Sequence, residues 1–212
     1  GLEEYKNQHI PNSIFFDLDT NSKKEINLPH MLVDQNDWMQ IVSKMGIKNE
    51  DEIVVYDNSD VISSCRCWFN FIYFGHNPKL VHVLNGGLKK WIKENKEVTN
   101  DVTSIETSDY KSFEKKELVK NKEQVDLNIK EQYFKVIDAR SKERFEGKVS
   151  EPRKGLRSGS IKNSFCIPFN LCLNEDKTFK NKKDLKLIFQ TCLKDINEKN
   201  IVFSCGSGVT AC

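Results

Sequence analysis

The fold is decided by the last stretch of the chain, Asn200-Ile201-Val202-Phe203-Ser204-Cys205-Gly206-Ser207-Gly208-Val209-Thr210-Ala211-Cys212. Its apolar run, Ile201 to Phe203, predicts a short buried strand. Small residues after Cys205 allow the backbone to curl tightly, so that successive N–H groups can point into one cradle. A cysteine in such a cradle has a lowered pKa and a reactive thiolate. The alternative, on local pattern alone, is a glycine-rich turn around a buried and inert cysteine.

The overall composition excludes several classes of partner. The 212 residues carry 33 basic and 31 acidic side chains, and the lysines are scattered among the acids, so no nucleic-acid partner is expected. No apolar run approaches the length that spans a bilayer, so no membrane partner is expected either. The seven cysteines contain no CxxC pair, which argues against structural zinc. Free thiols fit a reducing compartment: the cytoplasm or, in a eukaryote, the mitochondrial matrix.

Short apolar runs alternate with helical patterns along the chain. Strands are predicted at 53–56, 80–84, 133–137 and 201–203, and helices at 35–45, 65–74, 88–93 and 183–193. A further short strand is expected just before two carboxylates, Asp17 and Asp19. The alternation predicts an α/β fold with mostly parallel sheets flanked by helices.

Two segments of the chain repeat at a nearly constant spacing. Residues 9–13 (HIPNS) align with 160–164 (SIKNS), and 53–57 (IVVYD) with 201–205 (IVFSC), at offsets of 151 (160 − 9) and 148 (205 − 57). We therefore predict two tandem domains: 1–95, which lacks a nucleophile because Asp57 replaces the cysteine, and a catalytic 132–212, joined by a charged linker over 96–131. The same alignment leads us to expect that both chain ends are incomplete and that the second domain is truncated.

The loop from Cys205 to Thr210 resembles the active-site loop of the tandem-domain sulfurtransferases of the rhodanese superfamily, and within them the 3-mercaptopyruvate branch. The segments Asp138-Ala139-Arg140, Glu151-Pro152-Arg153 and Asn85-Gly86-Gly87 resemble the same family. The thiosulfate branch usually has basic residues directly after the cysteine, where this chain has Gly206 and Ser207. Ser160 and Lys162 depart from the His and Pro that family members usually have in the turn before the second domain's strand.

The resemblance implies sulfur transfer through a covalent intermediate. Cys205 would take sulfur from 3-mercaptopyruvate as a persulfide, release pyruvate, and pass the sulfur to a thiol acceptor such as thioredoxin, or to cyanide. Gly206, Gly208, Val209 and Thr210 would bind the sulfur donor and its developing charge. No metal or organic cofactor is expected.

The resemblance also gives roles to residues outside the loop. Arg144 and Arg153 are implied to grip the donor carboxylate, and the alternative is that they only form surface ion pairs with Glu143, Glu146 or Glu151. Ser207, His30 and Asp19 are implied to form a proton relay with residues from both domains. The alternative for His30 is a loop histidine that bonds only to backbone.

Three other functions were weighed against this prediction. A protein tyrosine phosphatase is rejected because it needs an arginine six residues after the cysteine, where this chain has Ala211. A thiosulfate sulfurtransferase and a non-catalytic rhodanese module that only binds partners stay open.

Overall fold

The computed structural model describes residues 1–26, 28–193, 195 and 200–212. The chain folds into two compact units, Gly1–Leu118 and Val119–Cys212. Each unit contains a small, wholly parallel sheet with helices, which confirms the α/β fold predicted from the sequence. No helix in the described ranges is long and apolar enough to cross a bilayer.

The first unit places a two-stranded sheet among four α-helices. The two strands pair in parallel, with Ile53 opposite Val81. Its elements are α1 (Leu2–Asn7), α2 (Gln35–Lys44), β1 (Ile53–Val55), α3 (Ser64–Tyr73), β2 (Val81–Val83) and α4 (Gly87–Lys93), with 3₁₀ turns at Pro78–Leu80 and Lys116–Leu118.

Helix α2 shows how the sequence sets this unit's core. The Asp34 carboxylate caps it by accepting the N–H groups of Asn36 and Asp37 at 3.0 Å each. Its Trp38 and Val42, four residues apart, share one face and are fully buried. The Trp38 ring stacks on Phe74 with the centroids 4.9 Å apart, so α2 is fixed against the end of α3.

The second unit is built around strand β3, which pairs in parallel with a strand on either side. Ile137 in β3 is fully buried and packs with Ile167 and Leu193. Asp138 ends β3 directly opposite Ser204, so the loop that begins at Cys205 lies at the carboxyl end of the sheet. Its elements are α5 (Lys122–Glu131), β3 (Lys135–Asp138), α6 (Lys142–Phe145), β4 (Phe165–Cys166), α7 (Lys182–Gln190) and β5 (Ile201–Ser204), with a 3₁₀ turn at Phe169–Cys172.

The two segments that repeat in the sequence form the same turn. The Ser13 N–H donates to the Ile10 carbonyl and the Ser164 N–H to the Ile161 carbonyl, both at 3.1 Å. The asparagine before each serine, at 12 and 163, has a φ of 62° and 64°, which a type II turn requires at its third residue. The second position of such a turn favours proline, as at Pro11, but does not require it, so Lys162 fits in the second copy of the turn.

The structure differs from two expectations. The strand expected before Asp17 does not form, since residues 13–17 belong to no strand or helix, and Asp17 instead caps a turn by accepting the Thr20 N–H at 3.0 Å. The segment 96–131, expected to be a linker, is folded: Tyr110 is fully buried in the first unit, and helix α5 belongs to the second. Tyr110 and the hydroxyl groups of Ser108 and Ser112, which donate to the carbonyls of Ile47 and Gln35, anchor the segment to the first unit. The predicted domain boundaries themselves stay a prediction.

Candidate active site

Cys205 begins a tight loop directly after β5. The N–H of Gly208 points back at it and donates to the sulfur at 3.1 Å. Gly208 has a φ of 73°, a left-handed conformation that favours glycine, and the turn closes where the Cys212 N–H donates to the Val209 carbonyl at 3.3 Å. Val209 is buried beneath the loop, while Cys205 is half-buried. The predicted cradle of N–H groups is therefore present.

The loop favours the thiolate form of Cys205. Burial of the sulfur is the largest single influence and acts to raise the pKa of the thiol. Hydrogen bonds from the Thr210 side chain and from the N–H groups of Ser207, Ala211 and Gly208 together outweigh it, so the pKa of Cys205 is lowered. The alternative of a buried and inert cysteine predicts the opposite direction.

The corresponding loop of the first unit holds a carboxylate. Asp57, 148 positions before Cys205, accepts the hydroxyls of Ser59 at 2.6 Å and Ser63 at 2.9 Å. It also accepts the N–H of Ser64, the first residue of α3, at 3.2 Å. This loop thus surrounds an anion of its own where the second unit offers a thiol.

Two arginines meet at the residue that follows Cys205. The Arg153 guanidinium donates from Nη2 to the carbonyl oxygen of Gly206. The Arg144 guanidinium lies beside the same residue: a Cβ added at Gly206 would be 2.9 Å from Arg144 Nη2. The structure therefore brings together the cysteine and both arginines that the sequence singled out, although the arginines precede it by more than 50 positions.

Arg144 also forms the ion pair that was the alternative to a role in binding. The Glu151 carboxylate accepts from its Nη2 at 2.5 Å and from its Nε at 3.1 Å. Glu151 accepts in addition from Arg140 Nη1 at 2.9 Å, and only 3% of its side chain is exposed. The hydrogen bond from Arg144, with the charges of both guanidinium groups, lowers the pKa of Glu151. The sequence named Glu151 as one of three glutamates that could pair with the arginines, but did not show that Arg140 and Arg144 share it.

The ion pair and substrate binding do not exclude each other. A guanidinium group has five N–H donors, and Glu151 uses the edge of Arg144 formed by Nε and Nη2. The other edge, Nη1 with the second hydrogen of Nη2, donates to nothing within residues 1–26, 28–193, 195 and 200–212. That edge has the spacing that a carboxylate accepts with two parallel bonds.

His30 and Asp19 form a pair within the first unit. His30 Nε2 lies 2.9 Å from Asp19 Oδ1, and because the carboxylate can only accept, Nε2 donates its hydrogen to Asp19. The His30 backbone has a φ of 57°, and its carbonyl accepts from Arg66 Nη2 at 2.6 Å. Since Ser207 belongs to the second unit, the relay that combines these residues stays a prediction.

The described part of the chain contains no group of three or more His, Cys, Asp or Glu side chains placed to hold a metal ion. The chemistry that can be assigned here is that of a thiolate held by N–H donors, with two guanidinium groups at its side.

Comparison with known proteins gives matches over nearly the whole chain. The family model described as "Rhodanese-like domain" matches residues 2–94 and again 115–212. The chain is 36% identical to the thiosulfate/3-mercaptopyruvate sulfurtransferase 1, mitochondrial, of Arabidopsis thaliana, covering 100% of this chain and 60% of that protein. It is 36% identical to the thiosulfate sulfurtransferase of Rattus norvegicus and 31% identical to the 3-mercaptopyruvate sulfurtransferase of Homo sapiens, covering 99% of this chain and 71% and 70% of theirs.

Solved structures give the same result. The structure is similar to that of SseA from Escherichia coli, described as having the rhodanese fold of 3-mercaptopyruvate sulfotransferases, with a TM-score of 0.86 at 29% identity, covering 99% of this chain and 77% of that one. It is also similar to the Tum1 protein of Saccharomyces cerevisiae, with a TM-score of 0.82 at 27% identity, covering 96% and 72%. The chain thus spans between about 60% and 77% of the length of these relatives.

Proposed function

Because the chain belongs to the rhodanese family, as its sequence predicted, and resembles named sulfurtransferases, we propose that it transfers sulfur from 3-mercaptopyruvate through a persulfide on Cys205. The observation that carries this proposal is the meeting of Arg144 and Arg153 at Gly206, beside a cysteine whose pKa is lowered. A 2-oxo acid donor has a carboxylate for the arginines and a sulfur for the thiolate. No step of the proposed reaction needs a metal ion or an organic cofactor.

The first half-reaction balances without an outside reagent. The Cys205 thiolate attacks the donor sulfur, a sulfur–sulfur bond forms, and the carbon–sulfur bond breaks with its electron pair left on carbon. The proton of the donor thiol ends on that carbon, so the products are a persulfide anion and pyruvate. In the proposed reaction Ser207, within the loop, carries this proton. The family resemblance implies that His30 is the general base that serves Ser207 and that Asp19 orients His30.

In the second half-reaction a nucleophile takes the outer sulfur and restores the thiolate. A thiol such as that of thioredoxin gives its own persulfide, and cyanide gives thiocyanate. The loop N–H groups of Ser207 and Gly208, which face the thiolate sulfur, stabilise the negative charge as the persulfide forms and decays. A reducing compartment, cytoplasmic or mitochondrial, suits such an acceptor, and one relative is named as mitochondrial.

Thiosulfate is the second candidate donor, because several relatives are named for it. Gly206 favours 3-mercaptopyruvate: it offers no basic side chain to a second anion, and a Cβ there would lie 2.9 Å from Arg144 Nη2, so a larger residue would displace that guanidinium. Comparison of kcat/KM for the two donors, with cyanide as the acceptor, tests this choice. A clear preference for thiosulfate would contradict it.

Intact mass spectrometry tests the enzyme itself. Incubation with 3-mercaptopyruvate is expected to add one sulfur atom to the chain, and Cys205→Ser is expected to abolish the addition. Cys212→Ser, seven positions later, is the matched control and is expected to keep it. A chain that gains no sulfur would instead support the non-catalytic binding module.

A further inference from the structure

Glu151 is an almost fully buried carboxylate between two guanidinium groups, and the chemistry of sulfur transfer does not use it directly. It accepts one hydrogen bond from Arg140 and two from Arg144. Burying a carboxylate carries a desolvation cost of several kcal/mol unless such partners compensate it. The Glu151 charge is kept at that cost in direct contact with Arg144, the arginine beside the cysteine loop, which suggests that it has a role there.

The Arg140 side of this network is fixed. The Arg140 guanidinium forms a bidentate pair with Asp138, from Nε to Oδ1 at 3.0 Å and from Nη2 to Oδ2 at 2.6 Å, and donates to the Gly159 carbonyl at 2.9 Å. Asp138 is the last residue of the central strand β3 and is 2% exposed. Arg140 is therefore anchored to the sheet, and through it the position of Glu151 is anchored as well.

The Arg144 side has a single anchor. Arg144 is at the end of a four-residue helix, and its side-chain hydrogen bonds within the described residues both go to Glu151. A long side chain with three or more rotatable bonds loses considerable freedom when it is held in one geometry. The orientation of the Arg144 guanidinium beside Gly206 is thus set by Glu151.

We infer that Glu151 is a positioning residue for recognition of the donor carboxylate: it holds one edge of Arg144 so that the opposite edge, Nη1 and Nη2, is presented beside Gly206. The inference rests on the proposed function. It makes Glu151 a determinant of the preference for an anionic donor, because a donor without a carboxylate or similar oxyanion cannot use the presented edge.

Glu151→Gln is the sharpest substitution for a test. Glutamine has nearly the same shape as glutamate, but its NH₂ group can only donate. It would face a guanidinium N–H group, so that two donors would meet and at least one hydrogen bond would be lost. The donors to compare are 3-mercaptopyruvate and mercaptoacetone, in which a methyl group replaces the carboxylate. The measurement is the single-turnover rate at which Cys205 gains sulfur, followed by intact mass.

We expect Glu151→Gln to slow the reaction of 3-mercaptopyruvate about 10- to 100-fold, the size of a lost charged hydrogen bond, and to leave mercaptoacetone within about threefold. Glu146→Gln is the matched control, because that carboxylate pairs with Lys148 on the surface at 2.6 Å, and it should change neither rate. Glu151→Asp keeps the charge but withdraws the acceptors by one methylene, and should give a smaller loss confined to 3-mercaptopyruvate.

The outcomes separate the inference from the proposed function. Equal slowing of both donors by Glu151→Gln and Glu151→Asp would show a merely structural role and overturn the inference alone, as would no change for either donor. Alkylation of Cys205 by iodoacetamide, at a rate equal to that of the unmodified chain, verifies that the loop is intact in each variant. If the unmodified chain gains no sulfur from either donor, the proposed function is overturned and the inference with it.

Discussion

Replacement of Gly206 with alanine is expected to weaken the use of 3-mercaptopyruvate while leaving the fold intact. The backbone of Gly206 is not in the left-handed region, so alanine can adopt its conformation. The added Cβ would lie 2.9 Å from Arg144 Nη2, and contacts below 3.4 Å force the neighbour to give way. The guanidinium must therefore move by about 0.5 Å (3.4 − 2.9) before the methyl group fits.

The magnitude follows from how tightly Arg144 is held. Its bonds to Glu151, at 2.5 and 3.1 Å, oppose the displacement, so the guanidinium tilts rather than moves away. A misplacement of 1 Å costs roughly 10²-fold in rate, and about 0.5 Å is the usual tolerance of such a site. We expect a loss of about tenfold in kcat/KM for 3-mercaptopyruvate, or about 1.4 kcal/mol.

The assay is steady-state turnover with cyanide as acceptor, arranged as a double-mutant cycle with Arg144→Ala. In the Arg144→Ala background there is no guanidinium to displace, so the added methyl group should cost almost nothing. If Gly206→Ala has the same cost in both backgrounds, its effect does not pass through Arg144 and the reasoning is refuted.

Three other substitutions test separate parts of the structure. Thr210→Val removes a hydrogen bond to the Cys205 thiolate, so its pKa should rise and the pH midpoint of alkylation by iodoacetamide should move upward; an unmoved midpoint would exclude that bond. Arg153→Ala should raise the KM for 3-mercaptopyruvate about tenfold or more and affect mercaptoacetone less; equal effects would contradict carboxylate binding. Asp57→Asn removes the negative charge from Oδ2, the oxygen that accepts three hydrogen bonds, and should cost about 1–3 kcal/mol in urea unfolding, followed by tryptophan fluorescence because all three tryptophans lie in the first unit, with alkylation of Cys205 unchanged.

Elements with a strong local signal could be predicted from the sequence. Helix α2 has a capping aspartate, an apolar face and a glycine stop at Gly46, and its predicted bounds agree with the structure within a residue. Strand β5 was predicted from three apolar residues and is one residue longer. The duplication was also recognisable, because the HIPNS and SIKNS segments share the asparagine that their common turn requires.

Features that depend on distant partners could not be predicted. The sequence offers Glu143, Glu146 and Glu151 alike as partners for the arginines, and nothing local shows that the Glu151 side chain is the one held between Arg140 and Arg144, with only 3% of it exposed. The choice between a binding and an ion-pairing arginine was open for the same reason. It required knowing that Glu151 occupies one edge of Arg144 and leaves the other edge facing the loop.

The two repeats show how one scaffold supports different chemistry. In both, a parallel strand ends in a tight loop whose donors surround a single side chain, Asp57 in one and Cys205 in the other. A carboxylate in this setting satisfies the donors permanently and leaves no nucleophile. A thiol satisfies such donors best as a thiolate, so the Thr210 side chain and the N–H groups around the sulfur lower the pKa of Cys205. The cradle therefore recurs in both units, whereas the chemistry depends on the residue at its centre, and in the function proposed above the choice of donor depends on the guanidinium groups beside Gly206.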